Sequence, residues 1–216
     1  MFSEDIFYPI LLTISFKWRN RSGGMRNMQF GGPTEPDEEQ IPPFQSESHI
    51  RVLDMQDRRP IGHEMTGLTR PGLFLVRARV NEVDGIEVGS TVEKESANIG
   101  ALSELRLKDI PENANSELLD AISDAISDDS HIHLQFYNSA GPMTRKFHSF
   151  QLLPGIGNSK AIQMVGLRGS GWHEFSAVDE ACAIDSVRLL AERYLKEMED
   201  EAQTPRLLDL LVRADL

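Results

Sequence analysis

Cysteine is nearly absent from this chain, since Cys182 is the single one among 216 residues. No disulfide can form within the chain, which excludes the disulfide-stapled scaffolds of secreted proteins. Long hydrophobic runs are also missing. The most apolar stretch, residues 6–18, is shorter than the ~20 residues that a membrane span needs, and acidic rather than basic residues precede it. We therefore expect a cytoplasmic protein with no membrane association.

Positive charge is scarce overall. The chain has 22 Lys and Arg against 34 Asp and Glu, a net charge of −12, which argues against strong non-specific binding to nucleic acid because phosphate contacts depend on Lys and Arg. The distribution is uneven. Residues 109–139 carry a net −7 and residues 176–203 a net −5, whereas residues 140–175 carry a net +3. This composition is compatible with a small basic face on an otherwise acidic surface.

Residues 1–47 are interpreted as a disordered tail and linker. Within them, residues 33–47 hold four prolines and five acidic residues with few apolar ones, a composition that cannot bury a core. Residues 1–24 are interpreted as a tail or as sequence upstream of a native start at Met25 or Met28, and the alternative is a membrane or partner-binding segment. The folded part of the chain is therefore expected from residue 48 onward.

Residues 48–110 have the pattern of short strands joined by tight turns. Residues 50–53, Ile-Arg-Val-Leu, are a short strand candidate, and residues 72–80 alternate between apolar and polar side chains. The Asp-Gly pair at residues 84–85 is a typical hairpin turn, which predicts that residues 86–92 return as the partner strand. Several such strands within a short stretch predict a small OB-like β-barrel.

The chain then changes to helical patterns. Residues 116–126 place their apolar side chains on one helical face, with Ser116 as the N-cap, inside a helical connector over residues 111–134. Residues 131–137 alternate like a strand. Three further segments predict short helices, over residues 144–153, 158–167 and 176–198, the last with an interruption near residues 184–185.

The most specific motif is Leu-Pro-Gly-Ile-Gly at residues 153–157. Pro154 ends the preceding helix because it lacks an amide proton, and Ile156 anchors the turn in the core. Gly155 and Gly157 permit positive φ and leave no side chain between the backbone and a ligand. The next helix then offers free amides and the positive end of its dipole, an arrangement that suits a phosphate.

The turn predicts a set of phosphate contacts. Backbone amides come from the turn and the helix start, and nearby basic side chains supply charge. On the predicted barrel, two arginines of residues 72–80 form either a second binding face or the solvated side of an amphipathic strand, and the pattern leaves both open. The candidate nucleic-acid-binding residues are Gly155, Ile156, Gly157, Asn158, Ser159, Lys160, Arg145, Lys146, Arg168, Arg77 and Arg79.

Downstream of the turn, Arg168 is followed by Gly-x-x-x-Phe-Ser-x-x-Asp, which runs from Gly171 to Asp179. This pattern resembles the continuation found in helix-hairpin-helix proteins, where the Phe packs in the core and the Ser, here Ser176, caps the next helix. The candidate second turn, residues 183–187, contains no glycine. We therefore expect it to pack as a pseudo-symmetric partner of the first turn and to bind little.

Residues 50–200 resemble an uncharacterised archaeal family, domain of unknown function 655, in which an OB-fold-like barrel precedes a helix-hairpin-helix region and nucleic-acid binding is the predicted role. The segments that carry the resemblance are Val-Leu-Asp at 52–54, Asn-Ser-Glu-Leu at 115–118, Phe-Tyr-Asn-Ser-Ala-Gly-Pro-Met-Thr-Arg-Lys-Phe-His at 136–148 and Leu-Leu-Pro-Gly-Ile-Gly at 152–157. The resemblance implies a helix rather than a strand at residues 136–138.

We thus expect an α+β fold in which a small OB-like β-barrel is followed by a helical helix-hairpin-helix domain. The expected boundaries are a barrel over residues 48–110, a helical connector over 111–134, a helix-hairpin-helix domain over 135–200 and a C-terminal tail over 201–216.

Catalytic and metal sites are weaker interpretations. Asp179 falls near the position where helix-hairpin-helix glycosylases place an Asp, but an Asp at a helix start explains it better, and a barrel lies upstream where a glycosylase needs further helices. His131 and His133 would share a strand face but have no evident third ligand. No nucleophile is paired with a base, so we expect no catalytic residue, metal or cofactor.

The function expected from the sequence is non-catalytic nucleic-acid binding, with RNA slightly favoured over DNA because OB-type barrels often take single strands. The alternative is a protein-protein interaction adaptor that uses the helical domain, since most of the surface is acidic. We expect the protein to be a monomer.

Overall fold

Antiparallel strands form the first half of the folded chain. The computed structural model describes residues 44–60 and 62–214. Three strands follow one another as a meander, namely β1 (His49–Asp57), β2 (His63–Arg70) and β3 (Leu75–Val80). The predicted strands at residues 50–53 and 72–80 are thereby confirmed.

Two short strands complete the larger sheet. The strand β4 (Thr91–Glu93) pairs with β1, and β5 (Ser103–Glu104) pairs with β3, which gives the order β4-β1-β2-β3-β5. The predicted hairpin at residues 84–85 is therefore wrong, because the strand that follows it returns to β1 and not to β3. Within the described residues β4 and β5 remain edge strands, so the sheet is open and does not close into a barrel.

Side-chain alternation explains the faces of this sheet. On β3, Val76, Ala78 and Val80 are buried while Arg77 and Arg79 are exposed, as predicted. Close approach of β1 and β2 requires Gly67, since a Cβ there would lie 2.4 Å from Ile50 Cγ2 and 2.9 Å from the Arg51 carbonyl oxygen. The β1–β2 register also shifts between Val52 and Asp54, which marks an irregularity of the bulge type.

Helices and a small hairpin form the second half. In chain order the elements are α1 (Glu112–Asp128), α2 (Ser130–Ser139), β6 (Pro142–Thr144), β7 (Phe147–His148), a 3₁₀ turn (Ser149–Leu152), α3 (Asn158–Arg168), α4 (Phe175–Cys182), α5 (Ser186–Glu199) and a π turn (Leu208–Val212).

Several predictions for this half are confirmed and others are corrected. The helix implied at residues 136–138, the helix over 158–167 and the break near 184–185 are confirmed as α2, α3 and the α4–α5 turn. The strand-like reading of residues 131–137 is wrong. Residues 144–153 do not form a helix, because β6 pairs antiparallel with β7 and only a 3₁₀ turn follows.

Two predicted N-caps are also wrong. The helix α1 begins at Glu112 after the N-cap Pro111, so Ser116 lies inside the helix and its hydroxyl donates to the Asn113 carbonyl. The N-cap of α4 is Glu174, so Ser176 likewise lies inside its helix. In both cases the helix begins before the predicted cap, where tertiary packing stabilises the additional residues.

Sheet and helices share one hydrophobic core. Leu53, Leu68 and Leu75 of the sheet belong to the same buried cluster as Leu118 of α1 and Tyr137 of α2. The opposite face of the sheet has a smaller cluster of its own, made by Ile50, Val52, Met65, Val76, Ala78, Val80 and Ile86. The strand region and the helical region thus lie in a single compact unit that begins at Phe44.

Both ends of the described chain pack onto this unit. The Phe44 ring stands edge-on to Phe74 at 5.6 Å, and the buried Glu47 carboxylate accepts the Gly72 amide at 2.9 Å. Residues 44–47 are therefore packed, although they were predicted to belong to a linker, while residues 1–43 lie outside the described residues. At the other end, the segment predicted as a tail buries Leu207 and Leu208.

Candidate nucleic-acid interface

The turn at residues 154–157 lies between the 3₁₀ turn and α3. Gly155 has φ +75°, a left-handed value that favours glycine, whereas Gly157 has φ −85° and ψ 175°, which any residue adopts. Ile156 is buried and anchors the turn, as predicted. A Cβ at Gly155 or Gly157 would meet no atom within 4 Å, so the turn backbone faces open space.

The approach to the turn is held by local hydrogen bonds. The His148 side chain accepts the Phe150 amide at 3.1 Å, and the Gln151 side chain accepts the His148 amide at 2.9 Å. This reciprocal pair has the geometry of a capping box. Burial and the nearby Arg168 charge lower the pKa of His148, which disfavours a positive charge on this ring.

The first turn of α3 leaves its amides open. Gly157 is the N-cap and supplies no side chain, and the first bond of the helix joins the Ala161 amide to the Gly157 carbonyl at 2.9 Å. The amides of Asn158, Ser159 and Lys160 therefore have no partner among the residues that the structure describes. Asn158 and Ser159 are exposed, which leaves these donors accessible to an anion.

Lys160 is directed to a different partner from the one predicted. Its half-buried side chain reaches the end of α4, where the ammonium donates to the Cys182 carbonyl. A cation there satisfies an orphan carbonyl and interacts favourably with the negative end of the helix dipole. Burial raises the pKa of the Cys182 thiol, and the Lys160 charge opposes that shift. In the free protein Lys160 thus joins α3 to α4, and its predicted phosphate contact stays a prediction.

Arg168 has a similar placement. One guanidinium nitrogen donates to the Ala140 carbonyl at 2.6 Å, at the C-terminal end of α2. Two of the cations predicted around the turn are therefore hydrogen-bonded to helix ends rather than directed to solvent.

Arg145 and Lys146 lie at the tip of the β6–β7 hairpin. Both are exposed, and neither forms an ion pair within the described part of the chain. The residue that follows them, Phe147, is 37% exposed. The hairpin therefore carries two solvent-facing cations next to an accessible aromatic ring.

An open groove of about 530 Å³ runs beside the turn. Its lining residues are Phe147, Gln151, Leu152, Leu153, Pro154, Gly155, Ile156, Gly157, Arg193 and Lys196. Arg193 is buried and ion-paired, since its Nε donates to Glu197 at 2.6 Å. Lys196 is exposed and forms no ion pair with any described residue, so it supplies the solvent-facing charge of α5 in this groove.

Lys196 was missed by sequence reasoning. Its segment, residues 176–203, is acidic on average, and that average concealed one lysine on the side of α5 that lines the groove. The i, i+3 spacing of Arg193 and Lys196 was a signal that both lie on one helical face.

Arg77 and Arg79 do not line this groove. They are exposed on β3, where Arg77 lies opposite Thr66 and Arg79 opposite Glu64 on the neighbouring strand β2. The structure thus separates the predicted set into residues at the turn, residues at the hairpin tip, helix-capping residues and two arginines on the sheet.

The α4–α5 turn has the opposite character to the first. Asp185 is the N-cap of α5 and accepts the Arg188 amide at 2.9 Å, while Asp179 accepts the buried Ser186 amide at 2.7 Å. The Tyr137 hydroxyl donates to the Ser186 carbonyl at 2.7 Å. Asp179, which resembled a glycosylase residue in its position, is thus a capping group, and this turn offers few open donors.

The two histidines considered as metal ligands face different surroundings on the helix α2. His131 is exposed, whereas His133 is buried with its Nδ1 3.0 Å from the Tyr194 hydroxyl. Burial lowers the pKa of His133 to about 4. Among the described residues no group of three or more His, Cys, Asp and Glu side chains is placed to hold a metal ion.

One face of α3 is apolar and exposed. The helix buries only Ala161 and Met164, while Ile162 and Val165, which lie one turn apart on the same side of the helix, are 63% and 39% exposed.

Residues 52–207 match the model of one protein family, described as Protein of unknown function (DUF655). The chain belongs to this family. The resemblance stated from the sequence is therefore confirmed at the level of the family, whose description assigns no function. The match begins within β1 and spans the rest of the sheet, the groove and the described helices α1 to α5.

Two relatives in the comparisons are archaeal. The Uncharacterized protein MJ0038 of Methanocaldococcus jannaschii is 26% identical over 98 residues, which is 45% of this chain and 45% of that protein, so the match spans about half of its length. The crystal structure of Af1531 from Archaeoglobus fulgidus, a DUF655 protein, covers 75% of this chain and 99% of its own with a TM-score of 0.68 and 20% identity. This likeness supports the mixed α+β fold, an antiparallel sheet followed by helices.

None of the helices in the described ranges is long and apolar enough to cross a lipid bilayer.

Proposed function

We propose that the protein binds nucleic acid without catalysis and holds a backbone phosphate in the groove beside the 154–157 turn. The observation that carries the proposal is the set of unpartnered amides at the start of α3, which open beside a groove containing the exposed Lys196. In this proposal the region acts as a helix-hairpin-helix whose first helix is shortened to the 3₁₀ turn, and the open sheet acts as an OB-like element.

The chemistry of the groove suits a phosphodiester. Backbone amides at a helix N-terminus donate to phosphate oxygens, and the helix dipole favours negative charge there. Lys196 adds a mobile charge from α5, and Arg145 and Lys146 extend the positive surface along the hairpin. Arg77 and Arg79 provide a second contact surface for a longer strand. Lys160 and Arg168 act mainly by holding the helices that shape the groove.

Affinity is expected to be modest. The acidic segments 109–139 and 176–203 oppose the approach of a polyanion, so only a few phosphates are neutralised. We expect dissociation constants in roughly the micromolar range at physiological salt, as for sequence-independent binding, with RNA bound slightly better than DNA. Affinity should fall as salt rises, by about one unit of log–log slope for each phosphate contact.

The test is a fluorescence-anisotropy titration with short RNA and DNA at several salt concentrations. Lys196→Ala should weaken binding similarly across sequences and flatten the salt slope by about one unit, and the double variant Arg145→Ala/Lys146→Ala by up to about two. Lys108→Ala is the matched control, because Lys108 is an exposed lysine that does not line this groove. Its slope should equal that of the wild type.

Three results would contradict the proposal. Absence of binding by the wild type at low salt would end the nucleic-acid interpretation. Equal salt slopes for Lys196→Ala and Lys108→Ala would show that the phosphate does not bind in the groove. Loss of binding only in Arg77→Ala/Arg79→Ala would transfer the site to the sheet.

A second candidate is a protein-protein interaction adaptor, favoured by the exposed apolar face of α3. Ile162 and Val165 are exposed apolar side chains of α3, whereas Ala161 and Met164 are the buried residues of this helix. Exposed apolar side chains that lie close together are typical of protein-binding surfaces. Pull-downs with wild type, Ile162→Ser/Val165→Ser and Val88→Ser test it, since Val88 is 51% exposed elsewhere. A partner lost only by the α3 variant, and kept by Lys196→Ala, would support the adaptor.

A further inference from the structure

The groove has an aromatic wall that the phosphate site does not use. Phe147 lines it together with Gly155 and Gly157, and its side chain is 37% exposed. The other aromatic rings of this region are packed inward. Phe136, Tyr137, Phe150 and Phe175 contact one another with ring centroids 5.4–6.1 Å apart and are buried.

The position of Phe147 in the hairpin suits a role in binding. It follows the exposed cations Arg145 and Lys146 directly, and it pairs across the hairpin with Thr144. Phe147 also lines the groove beside the turn, so a strand bound in this groove would have the ring within reach. An aromatic face beside a phosphate site suits a nucleobase.

We propose that Phe147 is a stacking platform for one unpaired base, so that the ligand of the groove is a single-stranded nucleic acid. The proposal rests on the phosphate site proposed above and adds the class of ligand. A base can lay its face on a side chain only when it has left the stack of a duplex. Stacking on an aromatic ring is also tolerant of sequence, because every base has a π-face. The expected ligand is therefore a single strand of mixed sequence, and a blunt duplex should bind less well.

The test compares Phe147→Leu with Met143→Leu. Met143 is an exposed apolar residue of the same hairpin that does not line the groove, so its substitution is a matched control. Each variant is titrated with a short labelled single strand, with the same strand carrying abasic sites, and with its blunt duplex. Phe147→Leu should weaken single-strand binding roughly tenfold without changing the salt slope, because no charge is removed. Met143→Leu should bind as the wild type does.

A second measurement follows the ring directly. In Phe147→Trp the new indole should be quenched by the intact single strand and left unquenched by the abasic strand. The wild type, which carries Trp18 and Trp172, is titrated with the same two strands to give the background signal. This readout reports contact at the ring even when affinity changes little.

The outcomes separate this proposal from the one on which it rests. In one outcome the wild type binds and Lys196→Ala weakens binding, but Phe147→Leu binds like Met143→Leu and the abasic strand binds like the intact strand. The stacking platform is then wrong and the phosphate site stands. If the wild type prefers the duplex, the single-strand ligand is wrong. If the wild type binds none of the three ligands at low salt, both proposals fail.

Discussion

The turns at residues 154–157 and 183–185 both lead into a helix, yet they treat the first amides of that helix in opposite ways. At the start of α5, Asp185 and Asp179 accept two of the amides. At the start of α3, the N-cap is Gly157 and no described side chain accepts any of them. The same fold therefore contains one closed and one open helix start, and the prediction that the second turn binds little stays a prediction.

The difference lies in what each turn contacts. The closed turn is fastened from the inside, where the buried Tyr137 hydroxyl donates to the Ser186 carbonyl. The open turn is anchored by the buried side chain of Ile156, and its glycines face open space. Lys160 connects the two, because it starts in the open helix and donates to the carbonyl that ends α4. Free backbone amides at a helix start beside a groove with an exposed lysine can donate hydrogen bonds to an anionic ligand from outside the chain. This is the basis of the proposed function.

The largest expected effect on stability concerns the buried His133 of α2, the helix whose Tyr137 contacts the closed turn. His133 is neutral when buried, with a pKa of about 4 against an unfolded value of 6.5. Between these two pH values the unfolded chain binds more protons than the folded one. The contribution of His133 to the free energy of unfolding is therefore fully present above pH 6.5 and falls by about 3 kcal/mol as the pH drops to 4. Urea unfolding across this range measures it.

The control for this prediction is His131→Ala, which removes an exposed histidine of the same helix and should keep most of the pH dependence. His133→Gln should lower stability at neutral pH, because it removes the contact with Tyr194, and should flatten the curve. A curve for His133→Gln as steep as that of the wild type would assign the acid sensitivity to other groups.

The next effect tests whether the closed turn depends on its caps. In Asp179→Ala the buried Ser186 amide loses its acceptor, which should lower the free energy of unfolding by about 1–3 kcal/mol and leave nucleic-acid binding unchanged. Asp179→Asn keeps an acceptor oxygen and should lose less. Ser159→Ala makes the comparable change at the open turn and should leave stability unaltered, as thermal unfolding can show. Equal losses in all three variants would erase the contrast between the turns.

Lys160 gives a smaller effect that separates structure from binding. Lys160→Met keeps the length of the side chain but removes the charge at the end of α4, so stability should fall by about 1 kcal/mol. Lys196→Met removes an exposed charge instead and should leave stability unchanged while it flattens the salt slope of binding. If Lys160→Met kept full stability and lost a unit of salt slope, Lys160 would be a phosphate ligand and not a helix cap.

Patterns of short range predicted much of this fold. The strands β1 and β3, the helix α3 and the break between α4 and α5 follow from periodicity and from the turn residues. The strand β2 was not predicted, because its sequence HEMTGLTR alternates poorly and contains Gly67, whose role depends on the close approach of β1. The pattern of residues 144–153 predicts a helix, whereas the structure has the hairpin β6–β7 in part of this range, because strand pairing and not local composition defines it.

The candidate site divides along the same line. Gly155, Ile156 and the open amides are local consequences of the turn and could be predicted. The partners of Lys160 and Arg168 could not, because the carbonyls they bind lie 22 and 28 residues away along the chain. Lys196 reaches the groove only through the packing of α5, so a local charge average had no means of finding it.

The smallest expected change in stability comes from converting the open turn into a closed one. Gly157 has φ −85° and room for a Cβ, so Gly157→Asp fits without strain. As an N-cap, the new carboxylate accepts an amide of the first turn of α3, as Asp185 does in α5, and should raise stability by roughly a few tenths of a kcal/mol. It also occupies the donors and places a negative charge where the phosphate would lie, so binding at low salt should fall more than tenfold. Gly157→Ala, which adds a Cβ but no acceptor, should bind nearly as the wild type does, and anisotropy titrations with thermal unfolding of both variants measure the pair. Undiminished binding by a stable Gly157→Asp protein would show that the α3 amides do not hold the phosphate.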